Sequence, residues 1–337
     1  MKILKTEAQI IARWTAQSPP LVSVIGIVYN QAPYLADAIE CFLSQETDFP
    51  FEIILHDDAS TDATAEIIMR YAAKYPTLIQ PILQEVNQFS QGINPTPIAV
   101  SRAQGKYIAL CEGDDYWTDP KKLQIQVKIM QEHPHCHISF HPALQHYADG
   151  TRPDEIVSRH SEYSKIFTPN EVILGSAGFC PTPSIMMDKH IFDTLPKWFG
   201  QILAGDYFLQ MLAALNSGAL YINRVMAVYR KNSIGSCGIK CLTDADFVYR
   251  DSLTLLQGLE EMDSHTHHQY SQELAIIKRK ASFLTCRTPL LALAQRKVFY
   301  QQYKNTFRLR EKIMWHLCYS NQMLCRWLYK LEQRIRN

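Results

Sequence analysis

Between Pro20 and about Ala143 the chain alternates short apolar runs with segments whose apolar residues recur every three or four positions. Residues 22–29 (VSVIGIVY) form a continuous, β-branched apolar run, as expected of a strand covered on both faces. Leu35, Ala38, Ile39 and Phe42 then fall at i, i+3, i+4 and i+7, one face of a helix. Residues 51–56 (FEIILH) read as a second strand. Ser60 and Asp62 offer N-cap chemistry to the helix that follows, where Ala65, Ile68, Met69 and Ala72 repeat the helical spacing. A third strand is predicted near 78–83, and Gly105 closes a short helical segment before a fourth at 106–111 (KYIALC). Asp119-Pro120 reads as an N-cap followed by proline at the first helical position, with Leu123, Val127 and Met130 on the core face. Strand–helix alternation of this kind predicts an α/β fold with a doubly wound, mostly parallel sheet that binds ligands at the carboxyl ends of its strands.

Residues 144–240 are less regular, with Pro153, Pro169, Pro181, Pro183 and Pro196 marking loops. From about 243 helical signals dominate, ending in a stripe of Ile313, Leu317, Leu324, Trp327, Leu328, Leu331 and Ile335. This patterning divides the chain into an N-terminal extension (1–20), an α/β domain (21–240) and a helical C-terminal region (241–337).

Composition narrows the picture. A chain of 337 residues that is 47% hydrophobic and 20% charged forms a core, and a formal net charge of +1 argues against a nucleic-acid binder with a broad basic field. Basic residues do gather at 304–336 (Lys304, Arg308, Arg310, Lys312, Arg326, Lys330, Arg334, Arg336). Together with Trp315 and Trp327 they suit a helix that packs on the core or rests on anionic lipid. Nine scattered cysteines, with no C-x-x-C pair, point to a reducing compartment. The N-terminus lacks the apolar core of a signal peptide, and no apolar run approaches the ~20 residues that cross a bilayer. The expected location is the cytoplasm, with peripheral contact at the inner face of the plasma membrane.

Three acidic sites stand at informative places. Asp57-Asp58 ends the second predicted strand, the run Glu112-Gly113-Asp114-Asp115 ends the fourth, and Asp206 opens a helix. Carboxylates at strand ends of a doubly wound sheet face the ligand crevice. Adjacent carboxylates repel unless a cation or hydrogen bonds offset the repulsion, and hard oxygen ligands suit Mg²⁺ or Mn²⁺. The alternative reading is that such residues merely cap helices or sit in solvated turns.

Three segments in order, PLVSVIGIVYNQAPYLADAIECFLSQ, FEIILHDDASTDAT and GKYIALCEGDDYWTDPKKLQIQV, closely resemble the inverting family 2 glycosyltransferases of the GT-A fold. The resemblance is strong over about 20–135 and continues more weakly to about Ser236. It implies that Tyr29 and Asn30 lie under the nucleotide base and that Asp58 bonds the base edge. Asp114 would contact the ribose, Asp115 would ligate the divalent cation on the diphosphate, with Asp114 beside it, and Asp206 would be the general base. Glu112, Tyr116, Trp117 and Arg102 are candidates to line the donor or acceptor. The implied reaction moves a sugar from a nucleoside-diphosphate donor, a UDP-sugar by preference, to a glycan or lipid-linked acceptor in surface polysaccharide or lipopolysaccharide synthesis. Glu112 stands where the family often has Asp, and Tyr229-Arg230-Lys231-Asn232-Ser233 lacks the histidine often found after the tyrosine–arginine pair.

His133, His135, Cys136, His137 and His141 mimic a metal cluster, but alternation along a strand sends neighbouring side chains to opposite faces; Cys237 and Cys241 lack a partner pair. A sugar nucleotidyltransferase would carry a glycine-rich, basic loop after the first strand, where this chain has Tyr29-Asn30-Gln31-Ala32-Pro33. A non-catalytic nucleotide-sugar-binding or scaffold protein of the same fold is the alternative from another class. No G-x-G-x-x-G follows the first strand, which sets a dehydrogenase aside.

Overall fold

The computed structural model describes residues 4–15, 19–321 and 323–328. The chain forms two compact units, Met1–Ser236 and Cys237–Asn337.

In the first unit, helix α1 (Glu7–Ile11) precedes the regular alternation of β1 (Val22–Val28), α2 (Ala32–Leu43), β2 (Phe51–Asp57), α3 (Thr64–Lys74), β3 (Ile79–Leu83), α4 (Pro95–Val100) and β4 (Tyr107–Leu110). These four strands pair in parallel in the order β3-β2-β1-β4. All of β2 and nearly all of β1 is buried, as the continuous apolar run of β1 and the apolar centre of β2 favour, and β2 also buries Glu52, His56 and Asp57. Helix α2 buries Leu35, Ala38, Ile39 and Phe42, the face that the spacing predicts. In α3 the buried face is Thr64, Ile68, Tyr71 and Ala72, so Met69 is left to solvent.

After β4 the strands are short: β5 (Tyr116–Trp117), β6 (Ile138–Phe140), β7 (Ala143–Tyr147), β8 (Glu155–Val157), β9 (Lys165–Phe167), β10 (Met186–Asp188), β11 (Ala219–Tyr221) and β12 (Ala227–Lys231). Between them lie α5 (Lys122–Glu132), α6 (Pro169–Leu174), α7 (His190–Asp193) and α8 (Gly205–Ala214). Here the pairing becomes mixed. β10 runs antiparallel between β4 and β6, β11 is parallel to β6, and β9 closes the edge antiparallel to β11. Among the described residues the large sheet has eight strands, and a second sheet has the order β5-β12-β7-β8. The parallel plan read from the sequence therefore holds for the first four strands, and the short strands that follow insert in both directions.

One helix starts later than its sequence suggests. Asp119-Pro120 forms the turn ahead of α5 and not its first residues: Asp119 Oδ1 accepts the Lys121 N–H at 2.9 Å, and its carbonyl accepts the Lys122 N–H at 3.2 Å. The same carbonyl accepts Gln45 Nε2 at 3.0 Å, which fixes the turn against the end of α2.

The second unit is helical: α9 (Cys237–Thr243), α10 (Ala245–His265), α11 (Ser271–Arg287), α12 (Leu293–Tyr303) and α13 (Leu309–Ser320). Its core gathers Leu256, Cys286, Phe299, Tyr300, Tyr303, Phe307 and Trp315. Arg296 is buried there and donates from Nε to the Cys286 carbonyl at 2.7 Å. The apolar stripe does not form one long helix. α13 stops at Ser320, Asn321 is extended, and helix resumes at 323. Trp315 and Cys318 face the core, whereas Ile313 (52% exposed) and Leu317 (49% exposed) point outward. Lys330, Leu331, Arg334, Ile335 and Arg336 lie outside the described residues. Among those described, no helix is long and apolar enough to cross a membrane.

Candidate active site at the ends of the first and fourth strands

The loop after β1 is stitched to the loop after β2. Asn30, in the left-handed region at φ 52°, donates its N–H to Ser60 Oγ at 2.8 Å, and its Oδ1 accepts the Thr61 N–H at 2.7 Å. Gln31 N–H reaches Thr64 Oγ1 at 3.0 Å and Ala32 N–H reaches Asp62 Oδ2 at 3.1 Å. Ser60 thus serves the neighbouring loop rather than capping α3, while Asp62 serves both, since its Oδ1 also accepts the Thr64 N–H at 3.0 Å. Tyr29 and Asn30 are half-buried at this junction. Asp58 is buried, and its two oxygens accept the Gln88 and Phe89 N–H groups at 2.7 and 3.0 Å. It therefore anchors the loop entering a short 3-10 turn at Phe89–Gln91, and each oxygen keeps a lone pair for a ligand.

The acidic run leaves β4 in a space with no room for a side chain at Gly113. A Cβ there would lie 2.3 Å from Val28 Cγ1 and 2.6 Å from Gln31 Oε1. Gly113→Ala is expected to cost ~1–3 kcal/mol through overpacking, read as a fall in Tm. An unchanged Tm would contradict the packing.

That packing holds two carboxylates where water cannot reach them. Asp115 is 0% exposed and Asp114 3%. Asp115 Oδ1 accepts the Arg230 N–H at 2.7 Å and Asp114 Oδ2 accepts the Ser233 hydroxyl, yet Asp115 Oδ2 and Asp114 Oδ1 are buried without a hydrogen-bond partner. Burial, then the negative neighbours Asp114 and Glu112, hold the Asp115 carboxyl well above its ordinary range. Burial also raises Asp114, against the Ser233 hydrogen bond that favours its ionised form. Glu112 opens to solvent on one side but is crowded by protein, and that desolvation, with Asp114 and Asp206 nearby, pushes its carboxyl up. One ligand oxygen from each of Glu112, Asp114 and Asp115 can be chosen so that all three lie within 4.8 Å of one another. Orphaned, desolvated, hard oxygen donors fit a divalent cation of the Mg²⁺ or Mn²⁺ type.

Strand β12 supplies a second wall, which sequence reasoning missed. Its antiparallel pairing with β5 (Val228 opposite Tyr116) brings Arg230 alongside the acids. The Arg230 guanidinium donates to the Asp114 carbonyl at 2.8 Å and to Asp37 at 2.5 Å, and it stacks on the rings of Tyr116 and Tyr34 at 4.6 and 5.2 Å. Lys231, with Nζ 3.2 Å from the Tyr229 hydroxyl, is the cation that favours ionisation of Glu112, Asp115 and Asp206. The available signal was the tyrosine–arginine pair itself.

Asp206 opens α8 and is partly exposed. Its Oδ2 accepts the Thr182 hydroxyl at 3.1 Å and its Oδ1 accepts the Tyr207 N–H at 2.8 Å. Desolvation raises its carboxyl above the ordinary range, opposed by those hydrogen bonds and by Lys231. It is close enough to help raise Glu112, so it belongs to the same charged cluster.

Two expected lining residues do not line the crevice. Trp117 is 3% exposed, packs on Phe42 at 4.8 Å between ring centroids, and donates its indole N–H to the Pro183 carbonyl at 2.9 Å. Alternation along β5 turns it into the core and leaves Tyr116 as the half-buried member of the pair. Arg102 is exposed and precedes β4, so it lies at the end of the parallel sheet opposite the acidic run. The histidine-rich stretch does not converge either: Cys136 Sγ bonds to the Ser217 carbonyl, and His141 is buried with Nδ1 at 2.9 Å from the Pro142 carbonyl.

This arrangement, a parallel β3-β2-β1-β4 sheet with acids clustered at the carboxyl end of β4, is that of a nucleotide-diphospho-sugar transferase of the GT-A class. The chain belongs to glycosyl transferase family 2, whose pattern matches residues 23–195. It is 37% identical over 219 residues to Rv1520, an uncharacterized protein of Mycobacterium tuberculosis, a match covering 64% of this chain and 60% of the relative. It is 30% identical over 236 residues to TuaG of Bacillus subtilis, provisionally named as a teichuronic acid biosynthesis glycosyltransferase, over 69% of this chain and 88% of the relative. In fold it is similar to Staphylococcus aureus TarS 1–349 in complex with UDP, with a TM-score of 0.55 at 19% identity over 87% of this chain and 77% of that one.

Proposed function

We propose that this protein transfers a sugar, with inversion, from a nucleoside-diphosphate donor to a hydroxyl of a glycan or lipid-linked acceptor in surface polysaccharide synthesis, in a reaction that depends on Mn²⁺ or Mg²⁺. The observation that carries this reading is the pair of buried, unpartnered oxygens on Asp114 and Asp115 at the end of β4, with Asp206 in the same charged cluster. The UDP held by TarS favours a uridine donor, and the name of TuaG favours a polysaccharide acceptor.

A divalent cation held by Asp115, with Asp114 beside it, would act as a Lewis acid that stabilises charge on the departing diphosphate. The remaining work falls to the protein. Tyr29, Asn30 and Asp58 hold the nucleoside, the last through the lone pairs its loop contacts leave open. Asp206 takes the acceptor proton as the acceptor oxygen bonds to the anomeric carbon and the bond from that carbon to the diphosphate breaks. The nucleoside diphosphate departs with the bonding pair. No protein nucleophile is required, in keeping with a site built of carboxylates and cations.

The test is a panel of nucleotide sugars with Mn²⁺ or Mg²⁺, scored for release of nucleoside diphosphate and for a rise in Tm. A rise in Tm with one donor but no turnover with any acceptor would instead favour a non-catalytic nucleotide-sugar binder. No response to any donor would sink both readings.

Lys231 gives this reading a separate test. Replacing it by Met removes a cation that favours ionisation of Asp206, so the acid limb of kcat is expected to move to higher pH. An unmoved limb would remove Lys231 from the site.

The outward Leu309, Ile313 and Leu317 of α13, with Arg308, Arg310 and Lys312 beside them, support peripheral contact with anionic lipid at the inner membrane face. Sedimentation with anionic vesicles, reduced by Ile313→Ser with Leu317→Ser, is the expected result. Equal recovery in the supernatant with and without vesicles would oppose it.

A further inference from the structure

At the end of the large sheet opposite the acidic run, three metal-ligating side chains from separate elements converge. Asp188 lies beside the first residue of β4, since the antiparallel register sets it opposite Tyr107, whereas the acidic run follows the last. His137 leads into β6, and its carbonyl accepts the Asp188 N–H at 2.9 Å. His190 is the first residue of α7, two positions beyond Asp188.

His137 Nδ1 stands 2.8 Å from Asp188 Oδ2, and the His190 ring meets the His137 ring edge-on, with centroids 4.5 Å apart and planes at 83°. One ligand atom from each of the three residues can be chosen so that all lie within 4.8 Å of one another. Two imidazoles crossing at a steep angle could be a plain ring contact. A carboxylate oxygen closing the third side of the same small space is not required by such a contact.

We propose that His137, Asp188 and His190 form a second divalent-cation site, distinct from the acidic run and suited to Zn²⁺. Imidazole nitrogen selects ions of this borderline class, while Mg²⁺ favours all-oxygen surroundings. Ligand distances of ~2.0–2.2 Å require that the exposed His190 turn inward and that the 2.8 Å His137–Asp188 hydrogen bond open to the wider spacing of a tetrahedral pair. Three protein ligands leave a position for water. Asp188 is mostly buried and His137 half-buried, so the pair is held on its strands while His190 completes the set from the surface. A bound ion would tie β6, β10 and α7 together, and binding only to the folded chain would stabilise it by mass action.

Calorimetric titration of Zn²⁺ into the tag-free, chelator-stripped full chain tests this. Asp115→Asn is used as the background to remove the hard-oxygen site. One equivalent of Zn²⁺ is expected to bind that protein and to raise its Tm, while Mg²⁺ at the same concentration does neither. Adding His190→Ala, at an exposed position and with the fold checked by circular dichroism, should weaken binding at least ~100-fold, more than loss of a supporting neighbour. Adding Asp188→Asn should weaken it as well. Absence of a Zn²⁺ equivalent in Asp115→Asn, or undiminished affinity after His190→Ala, would overturn the site. Neither result touches the reading of the acidic run, which is tested by donor turnover.

Discussion

Asp115→Asn is expected to lower sugar transfer by about three orders of magnitude while leaving the cation-free protein as stable as the parent, or more so. The loss follows from removing a ligand whose cation contributes several kcal/mol of charge stabilisation, at 1.36 kcal/mol per tenfold. The stability follows from burial. Asp115 is wholly buried, its Oδ2 has no partner, and its carboxyl is held well above its ordinary 3.8. A carboxyl raised in the fold contributes stability below its unfolded value and loses it as pH rises through the folded one. With chelator present, the Tm of the parent is therefore expected to fall as pH rises from about 4 toward neutrality. Asp114, Asp206 and Glu112 add to the same trend, since each is raised. Saturating Mn²⁺ should raise Tm most at the upper end of that range. In Asp115→Asn both the fall and the rescue should shrink, because the amide carries no charge and can still accept the Arg230 N–H. Thermal melts across pH, with chelator and with Mn²⁺, measure this directly. Retention of a tenth of the parent turnover, or a cation-free Tm that climbs with pH, would refute the assignment.

Asp206→Asn carries the second large expectation: kcat should fall ~10²–10⁴-fold while the KM for donor changes little. The carboxylate accepts hydrogen bonds from Thr182 and from the Tyr207 N–H, which orient it, and an amide keeps one acceptor for that scaffold. What it loses is the capacity to take a proton. Because desolvation raises the Asp206 carboxyl, the parent should lose kcat on the acid side at a pH above the ordinary aspartate range. The variant should lack that limb. An equal fall in binding of donor would instead make Asp206 a donor ligand, and undiminished kcat would remove it from the chemistry.

Much of the framework was legible because each strand carries its own evidence. Burial on both faces of β1 favours a continuous apolar run, which 22–29 has, while 51–56 carries an apolar centre, Ile53, Ile54 and Leu55, between the buried polar residues Glu52 and His56. The helical period of α2 marks the face that it buries. The family resemblance is borne out for the same reason, since its motifs sit on these short, contiguous elements. Past β4 the strands are only a few residues long and pair in both directions, so period and length no longer discriminate, and the mixed half of the sheet went unread.

The acidic run Glu112-Gly113-Asp114-Asp115, Asp58 and Asp206 were visible in the sequence as acids at strand ends and at a helix start. Local chemistry by itself determined that they are there and that a parallel strand delivers them to one end of a sheet. Only the tertiary structure decided which of their oxygens stay unpartnered, because that depends on Arg230 and Ser233 arriving from β12 and the loop beyond it, more than a hundred residues away. It also decided that Trp117 turns into the core and that Arg102 stands at the opposite end of the sheet. It was tertiary structure, too, that brought His137, Asp188 and His190 together. Side-chain direction and neighbour identity are set by pairing between distant segments, and such pairing leaves no periodic trace in the segments themselves.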